Sequence, residues 1–187
     1  MKKIKLIIFH PYSKLGGADN SLKKLIEKIN TKSISVTFIS LNDSVLKKYL
    51  KNKEEFNKIN STRTLYSIFK LRKIVKKISK KNKFQKIIFF SNQNYANVIA
   101  YFSLLNINNI KKIFIERNHI DELNFYNSFL NKLKKTLIKF LIKISYKNVD
   151  LVIGISKKLS YDLKKFTGRK VITIYSPGYD KSIIKKS

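Results

Sequence analysis

The chain has 187 residues, the size of one ordinary domain, and 43% of them are apolar, which supports a sizeable core and excludes a chain that is disordered as a whole. With no Cys, it has neither a disulfide framework nor a Cys-ligated zinc or iron–sulfur site. A formal net charge of +30 favours polyanions or an anionic membrane surface as partners.

Most of this charge comes from lysine. Only four of the 41 basic residues are Arg, and Lys, Asn and Ile, which all have A/T-rich codons, are over-represented. Codon bias therefore accounts for part of the charge. Dedicated nucleic-acid binders rely on the planar fork of Arg, so nucleic-acid binding is the weakest of the hypotheses that the charge suggests.

The N-terminal segment reads as a buried strand and not as a secretory signal. The apolar run that follows Lys5 has only four residues, and no small-residue cleavage site comes after it. No apolar stretch approaches the roughly 18–20 residues that span a bilayer. We therefore expect a cytoplasmic chain.

Short apolar runs alternate with helical periodicity along the chain. The predicted strands are Ile4–Phe9, Ser35–Leu41, Ile87–Phe90, Lys112–Glu116, Leu151–Ile155 and Val171–Tyr175. The predicted helices run from Gly16-Gly17 to Ile29, then over Val45–Leu50, Leu65–Lys80, Tyr95–Leu105, Ser128–Tyr146 and Lys157–Phe166. This alternation predicts a Rossmann-like, doubly wound α/β domain over residues 1–175, with a mostly parallel sheet and helices on both faces. Residues 176–187 are predicted to be a linker or tail.

Two Lys-rich helices are predicted to carry a solvated face over a core stripe. In Ser128–Tyr146 the predicted core stripe is Leu130, Leu133, Leu137, Phe140, Leu141 and Ile144. The predicted solvated stripe is Lys132, Lys135, Lys139 and Lys143. The alternative is that the lysines of this helix and of Leu65–Lys80 adsorb to anionic lipid.

In this architecture ligands bind beyond the carboxyl ends of the strands, near the reversal in strand order. After the first strand, Gly16 and Gly17 would let the backbone approach a ligand at a helix N-terminus, which attracts anions. The alternative is a steric turn in which Asp19 or Asn20 caps the helix. Neither a GxGxxG nor a Walker A sequence is present, so the signatures of dinucleotide and P-loop nucleotide binding are missing.

Polar residues also follow the later strands. Ser91 and Asn92 suit sugar hydroxyls or cap the next helix. Arg117 could clamp a phosphate and His119 could exchange protons near neutral pH, the alternative being a surface salt bridge beside a solvated His. Ser156 stands at a helix start, where capping is the favoured interpretation. No metal cluster and no GxSxG nucleophile elbow are found.

Four segments, in order, resemble the N-terminal domain of family 4 glycosyltransferases of the two-domain GT-B type. Gly16-Gly17-Ala18-Asp19 is similar to the family's Gly-Gly-Ala-Glu turn, and Glu116-Arg117-Asn118 resembles its post-strand Glu-Arg-Asn. Asp150 to Ser156, followed by Leu159, resembles a strand-to-helix segment of the family. Ile174 to Asp180 resembles its exit from the first domain.

The resemblance implies an acceptor-side domain. Gly16 and Gly17 would then lie against the donor diphosphate or the acceptor, and Arg117 or His119 would be catalytic, near the transferred sugar. The expected substrate-binding residues are Gly16, Gly17, Asp19, Ser91, Asn92, Asn118 and Ser156. No cofactor and no metal are expected, because the nucleotide-sugar is a substrate.

The family's donor-binding domain, with its Glu-x7-Glu motif, has no counterpart here, since no two Glu are eight positions apart. We therefore expect the isolated chain to be inactive or very weak and a separate chain to supply the donor half. The implied reaction moves a hexose onto a lipid-linked or glycan acceptor in cell-surface polysaccharide or glycolipid synthesis, on the inner face of the membrane. The alternatives are a truncated binding module that docks on a partner or an anionic membrane and, less favoured, a nucleic-acid-binding protein.

Overall fold

Runs rich in Ile, Val and Phe form the strands of a computed structural model that describes residues 4–13, 16–29, 32–50, 56–82 and 86–176. The strands are β1 (Ile4–Phe9), β2 (Ile34–Ser40), β3 (Phe56–Lys58), β4 (Lys86–Asn92), β5 (Ile110–Glu116), β6 (Leu151–Gly154) and β7 (Ile172–Thr173). The α-helices are α1 (Gly17–Lys28), α2 (Ile68–Lys81), α3 (Asn94–Ser103), α4 (Phe129–Lys147) and α5 (Lys157–Thr167). Short 3-10 helices cover Val45–Tyr49, Thr64–Ser67 and Ile120–Asn124. The predicted tail, apart from Ser176, lies outside the described residues, as do Pro177 to Asp180 of the last motif.

The described strands form one parallel sheet in the order β3-β2-β1-β4-β5-β6-β7. β1 pairs with β2 on one side and with β4 on the other, so the direction of winding reverses between β1 and β4. Right-handed crossovers in opposite directions place helices on both faces. The predicted Rossmann-like, doubly wound fold is therefore confirmed, and the sheet is parallel in every described pair.

The two faces of the sheet bury two separate apolar cores. Ile8 of β1 contributes to the smaller core under α1, together with Leu22 and Ile26 of that helix. Ile7 and Phe9 point to the opposite face and to the larger core, which α2, α3, α4 and α5 cover. Because successive strand residues alternate between faces, apolar residues in both positions are needed, and this explains the continuous apolar runs.

Several elements differ from their predictions. β3 is a strand that was not predicted; Phe56 packs face to face on Phe38 of β2, with ring centroids 6.0 Å apart. The predicted edge strand Val171–Tyr175 shrinks to Ile172–Thr173, since β6 ends at Gly154 and provides no longer partner. The helix predicted over Leu65–Lys80 starts as a 3-10 helix at Thr64, and its α-helical part, α2, begins at Ile68.

The core stripe predicted for α4 is wrong for four of its six members, whereas Leu141 packs partly buried against the larger core. Leu130, Leu133, Leu137 and Phe140 are exposed, whereas Ile138, Ile142 and Tyr146 are buried against the sheet. Local periodicity indicated that the helix is amphipathic, but this helix is apolar on two sides. None of the described helices has the length and apolar character needed to cross a membrane.

Candidate functional site

The carboxyl ends of β1, β4 and β5 lie side by side at the reversal in strand order, where this fold binds ligands. The register pairs Phe9 of β1 with Ser91 of β4, so His10 and Asn92 follow as neighbours. Asn92 in turn pairs with Ile115 of β5, just before Glu116 and Arg117. The topology thus gathers polar residues from three distant parts of the chain at one edge.

Asp19 holds the turn between β1 and α1. Its Oδ1 accepts a hydrogen bond from Ser13 Oγ at 2.8 Å and lies 3.1 Å from Nε2 of the buried His10. Its Oδ2 accepts a hydrogen bond from the backbone N–H of Gly16 at 3.1 Å. The carboxylate of Asp19 is therefore used within the chain, and the structure supports a turn-holding role for it; the predicted substrate contact stays a prediction.

Gly16 and Gly17 have no conformational need to be glycine. Gly16 has an extended backbone, with φ −84° and ψ −176°, and Gly168 is the one described glycine with a positive φ. A Cβ built on Gly16 or Gly17 meets no described atom within 4 Å. Asp19 caps the helix, as the steric-turn alternative predicts, but that turn does not need glycine at either position. Both glycines leave open space beside the first turn of α1, where a ligand can approach the backbone.

Arg117 bridges β4, α1 and the end of the described chain. Its Nε donates to Asn92 Oδ1 at 2.7 Å, and its Nη1 donates to Ser21 Oγ at 3.3 Å and to Ser176 Oγ at 3.1 Å. Ser21 in turn donates to the carbonyl of Gly17 at 2.8 Å. The hydrogen-bond partners that the described residues offer this guanidinium are all neutral, and it forms no ion pair with any described carboxylate.

Burial lowers the pKa of Arg117, while the neighbouring Glu116 raises it. An arginine keeps its charge under such shifts, because its ordinary pKa is so high. The side chain is half-buried, so water screens it only in part. The result is a positioned cation with no direct ion pair in the described chain, one helical turn from the N-terminus of α1. Both features attract an anion.

Glu116 is fully buried behind Arg117. Its Oε1 accepts from the backbone N–H groups of Arg117 and Asn118 at 2.9 and 3.0 Å, and its Oε2 accepts from the Tyr146 hydroxyl at 2.5 Å. Asn97 completes the network by donating to the Tyr146 oxygen at 2.8 Å. Burial raises the pKa of Glu116 to about 7, against the lowering effect of these hydrogen bonds. These hydrogen bonds hold the backbone at Arg117 and Asn118 in place.

Further polar atoms at this edge are left over after the chain's own hydrogen bonds are made. His10 Nδ1, Ser91 Oγ and Asn92 Nδ2 are buried and have no partner among the described residues. Buried polar atoms are nearly always paired in proteins, so three at one strand edge mark it as unusual. The carboxyl edge is richer in hydrogen-bonding groups than the fold itself requires.

The remaining candidates contact α5. His119 Nδ1 lies 3.5 Å from Asp162 Oδ2 on that helix, and both side chains are partly exposed. Ser156 Oγ accepts from the backbone N–H of Leu159 at 3.2 Å, which agrees with the capping interpretation. The structure therefore joins Gly17, Asn92 and Arg117 through hydrogen bonds, while His119 and Ser156 belong to the neighbouring α5 side of the edge.

Sequence reasoning missed several members of this site. His10 has a usable signal, because it is the first residue after β1. Ser21, Asn97 and Tyr146 have none, since each reaches the site from within a helix. In the described part of the chain no three His, Asp or Glu side chains gather as metal ligands, and metal-independent chemistry stays a prediction.

No protein-family model and no curated protein matches this sequence. Solved structures do. Anabaena HepE, crystallised in complex with UDP and glucose, matches 98% of this chain and 46% of its own, with a TM-score of 0.62 and 18% identity. The lipopolysaccharide outer core galactosyltransferase WaaB matches 92% of this chain and 45% of its own, with a TM-score of 0.61 and 12% identity.

A third solved structure, the UDP-GlcNAc 2-epimerase of Methanocaldococcus jannaschii, matches 93% of this chain and 45% of its own, with a TM-score of 0.53 and 14% identity. The chain spans less than half the length of each of these three proteins. At such identities the likeness shows the fold alone: a Rossmann-like domain of the kind that forms one half of a GT-B architecture. Membership in family 4 stays a prediction.

Proposed function

We propose that this chain is the acceptor-binding half of a glycosyltransferase that transfers a hexose from a nucleotide-sugar to a lipid-linked or glycan acceptor. Residues 1–175 form the working domain, and residues 176–187 lead toward a donor-binding domain, whether on the same or a separate chain. The glycosyltransferase-like fold supports this proposal. So do two of the similar solved structures, HepE in complex with UDP and glucose and the galactosyltransferase WaaB. The family 4 resemblance of four ordered segments supports it further.

The observation that carries the proposal is the cation of Arg117 among neutral partners beside the start of α1. In glycosyl transfer the bond between the anomeric carbon and the diphosphate oxygen breaks, the acceptor oxygen replaces it, and the acceptor proton leaves with the diphosphate. Negative charge grows on the leaving diphosphate, and a positioned cation plus a helix N-terminus stabilise that charge.

The neighbouring groups suit the sugar. Asn92 supplies a buried amide that accepts from Arg117, Ser91 supplies a buried hydroxyl one residue earlier on β4, and Asn118 follows Arg117 on a loop that Glu116 holds in place. The open faces of Gly16 and Gly17 let the diphosphate or acceptor approach α1 closely. The catalytic role falls to Arg117, which faces α1, or to His119, which faces Asp162.

Transfer by the chain together with its donor-binding domain tests the proposal. We expect Arg117→Ala to lower kcat by roughly 10²–10³-fold, the usual effect of removing one positioned donor. Gly17→Val extends a side chain into the open space from a Cβ that meets no described atom within 4 Å, so we expect it to raise KM while the fold persists. His119→Ala identifies which of the two candidates is catalytic.

Arg63→Ala is the matched control, because Arg63 is exposed and its side chain has no described hydrogen bond. It removes the same charge from the same protein. Undiminished transfer by Arg117→Ala, Gly17→Val and His119→Ala would remove the site assignment. Absence of transfer with every nucleotide-sugar and donor-binding domain would favour the non-catalytic binding module.

A further inference from the structure

The N-terminal half of α4 presents an apolar face to the outside of the molecule. The side chains that form it, called here the outer ridge, are 55% to 78% exposed. They are Phe129, Leu130, Leu133, Leu137 and Phe140. Large apolar side chains of a soluble domain rarely gather on one exposed helix face unless that face meets a partner.

The outer ridge is separate from the face that packs on the sheet. At 3.6 residues per turn its five members span an arc of about 100° and a length of about 16 Å. Ile138, Ile142 and Tyr146, which are at most 9% exposed, lie roughly on the opposite side of the helix. The core therefore uses one apolar face of α4 and leaves the other uncovered.

Lysines border the outer ridge on both sides. At helical spacing Lys132 and Lys143 flank one edge and Lys134 the other, and all three are exposed. Long lysine side chains can lie along apolar groups while their ammonium groups reach anions farther out. An apolar stripe between cationic borders is the pattern of a helix that lies in the interface of an anionic membrane.

The loop before α4 extends this surface. Phe125 and Tyr126 are exposed, and Lys132 Nζ lies 5.4 Å from the centre of the Tyr126 ring. Lys135 donates to the Phe125 carbonyl and Lys139 to Asn124 Oδ1, so these two lysines fasten the loop to α4. Both lysines are half-exposed, so the stripe predicted to be solvated lies on the surface, but these two members bind the loop.

The outer ridge begins at the same edge of the sheet as the candidate site. Helices run antiparallel to the parallel strands they connect, so the N-termini of α2, α3 and α4 all lie toward the carboxyl edge. Exposed apolar side chains occur at the other two helix starts as well. They are Leu65, Tyr66 and Phe69 near the start of α2, and Tyr95 in α3, which packs between α2 and α4.

We propose that the outer ridge inserts into the interface of an anionic bilayer, with Lys132, Lys134 and Lys143 against lipid phosphates. Charge selects this occupant, because a net charge of +30 opposes pairing with a second copy of the chain and is relieved by anionic lipid. Together with the proposed function, which it does not require, this orientation keeps the carboxyl edge near the headgroups, where a lipid-linked acceptor presents its sugar.

Sedimentation with vesicles tests the proposal without any transfer reaction, so its failure is separate from failure of the proposed function. We expect the full chain to bind phosphatidylcholine vesicles that contain phosphatidylglycerol. Leu130→Gln with Leu133→Gln should weaken this binding about tenfold or more, because two apolar side chains no longer enter the lipid. Both positions are exposed, so the fold should survive, which circular dichroism checks.

Matched lysine variants distinguish the contribution of the lysines that border the outer ridge from the contribution of net charge to vesicle binding. Lys132→Gln, Lys134→Gln and Lys143→Gln together should weaken binding to anionic vesicles several-fold more than Lys76→Gln, Lys77→Gln and Lys80→Gln. The second set removes the same charge from exposed positions in the last turns of α2, away from the outer ridge.

The absence of Trp from the sequence allows a direct measurement of insertion. Leu133→Trp should show a blue-shifted emission with anionic vesicles and quenching by brominated lipid, whereas Leu25→Trp, on α1 in the other helix layer, should not. Binding with no quenching of the Leu133→Trp variant, or no vesicle binding at all, would overturn the proposal. A stable dimer that Leu130→Gln with Leu133→Gln dissociates would assign the outer ridge to a second copy instead.

Discussion

Glu116 shows how a single buried residue can control a site that it does not face. Its carboxyl group holds the backbone N–H groups of Arg117 and Asn118 and accepts the Tyr146 hydroxyl, so it positions Arg117 from behind. Burial raises its pKa to about 7, because the charged form loses its hydration. Its protonation state therefore changes within the range where cells and assays operate.

This pKa predicts the pH dependence of stability. Glu116 has an ordinary value of 4.5 when unfolded and about 7 when folded, so the folded state binds its proton more tightly. Its stabilising contribution is complete below about pH 4.5 and is lost as the pH rises through 7, by at most roughly 3 kcal/mol. Glu116→Gln, which stays neutral, should remove this decline in the free energy of unfolding.

Urea unfolding between about pH 5 and pH 8 measures this difference between the native protein and Glu116→Gln. Glu27→Gln is the control, because Glu27 is a partly exposed carboxylate on α1 with a Lys23 partner at 3.9 Å. Equal pH slopes for the native protein and Glu116→Gln would show that Glu116 is not the titrating group.

At the scale of elements, β6 and α5 pack in unusually close contact at Gly154. A Cβ on this residue would lie 2.5 Å from Ser160 Oγ and 3.1 Å from the Ser160 Cα. Ser160 has little freedom to move away, since Thr173 of β7 donates to its Oγ at 2.9 Å. The glycine therefore sets the distance between this strand and its helix.

Gly154→Ala should lower the free energy of unfolding by about 1–3 kcal/mol, the usual cost of overpacking. Denaturant unfolding measures it, and Gly16→Ala, which meets no described atom within 4 Å, is the matched control. Adding Ser160→Ala removes the closest clash and should recover part of the loss. Equal stability of the two alanine variants would contradict the close packing seen here.

The types and positions of most elements could be predicted, because a strand or helix shows its period within its own residues. β1 matches its predicted bounds, and α4 differs by one residue at each end. Which side of α4 packs on the sheet could not be predicted, because both of its sides are apolar. β3 was missed because three residues carry too little periodicity to be recognised.

At the scale of the whole molecule, the excess of 30 positive charges is spread over one small domain. Two lysines 10 Å apart repel each other by about 0.4 kcal/mol in water, and the compact state holds many such pairs. Salt shortens the reach of this repulsion, from about 30 Å at 0.01 M to about 10 Å at 0.1 M. Folding should therefore be strongly sensitive to ionic strength.

Raising NaCl from about 0.01 M to about 0.1 M should increase the free energy of unfolding in urea by about 1–2 kcal/mol, equivalent to relieving several such pairs. Lys76→Gln, Lys77→Gln and Lys80→Gln together should reduce this increase. A free energy of unfolding that is constant or falls with salt would mean that the surface charges are already compensated in the native state.

The amino-acid sequence by itself determined the alternation of strands and helices, hence the doubly wound sheet and the edge at which to look for a site. The hydrophobic periodicity of each segment identifies it as a strand or a helix, and the right-handedness of strand–helix–strand crossovers fixes how these elements connect. Both properties can be recognised from short stretches of sequence. Only the tertiary structure decided that Arg117 meets Ser21, 96 residues away, and that Tyr146 meets Glu116. Such contacts depend on how crossovers bring distant segments together, and so does the choice of which apolar face of α4 the core covers.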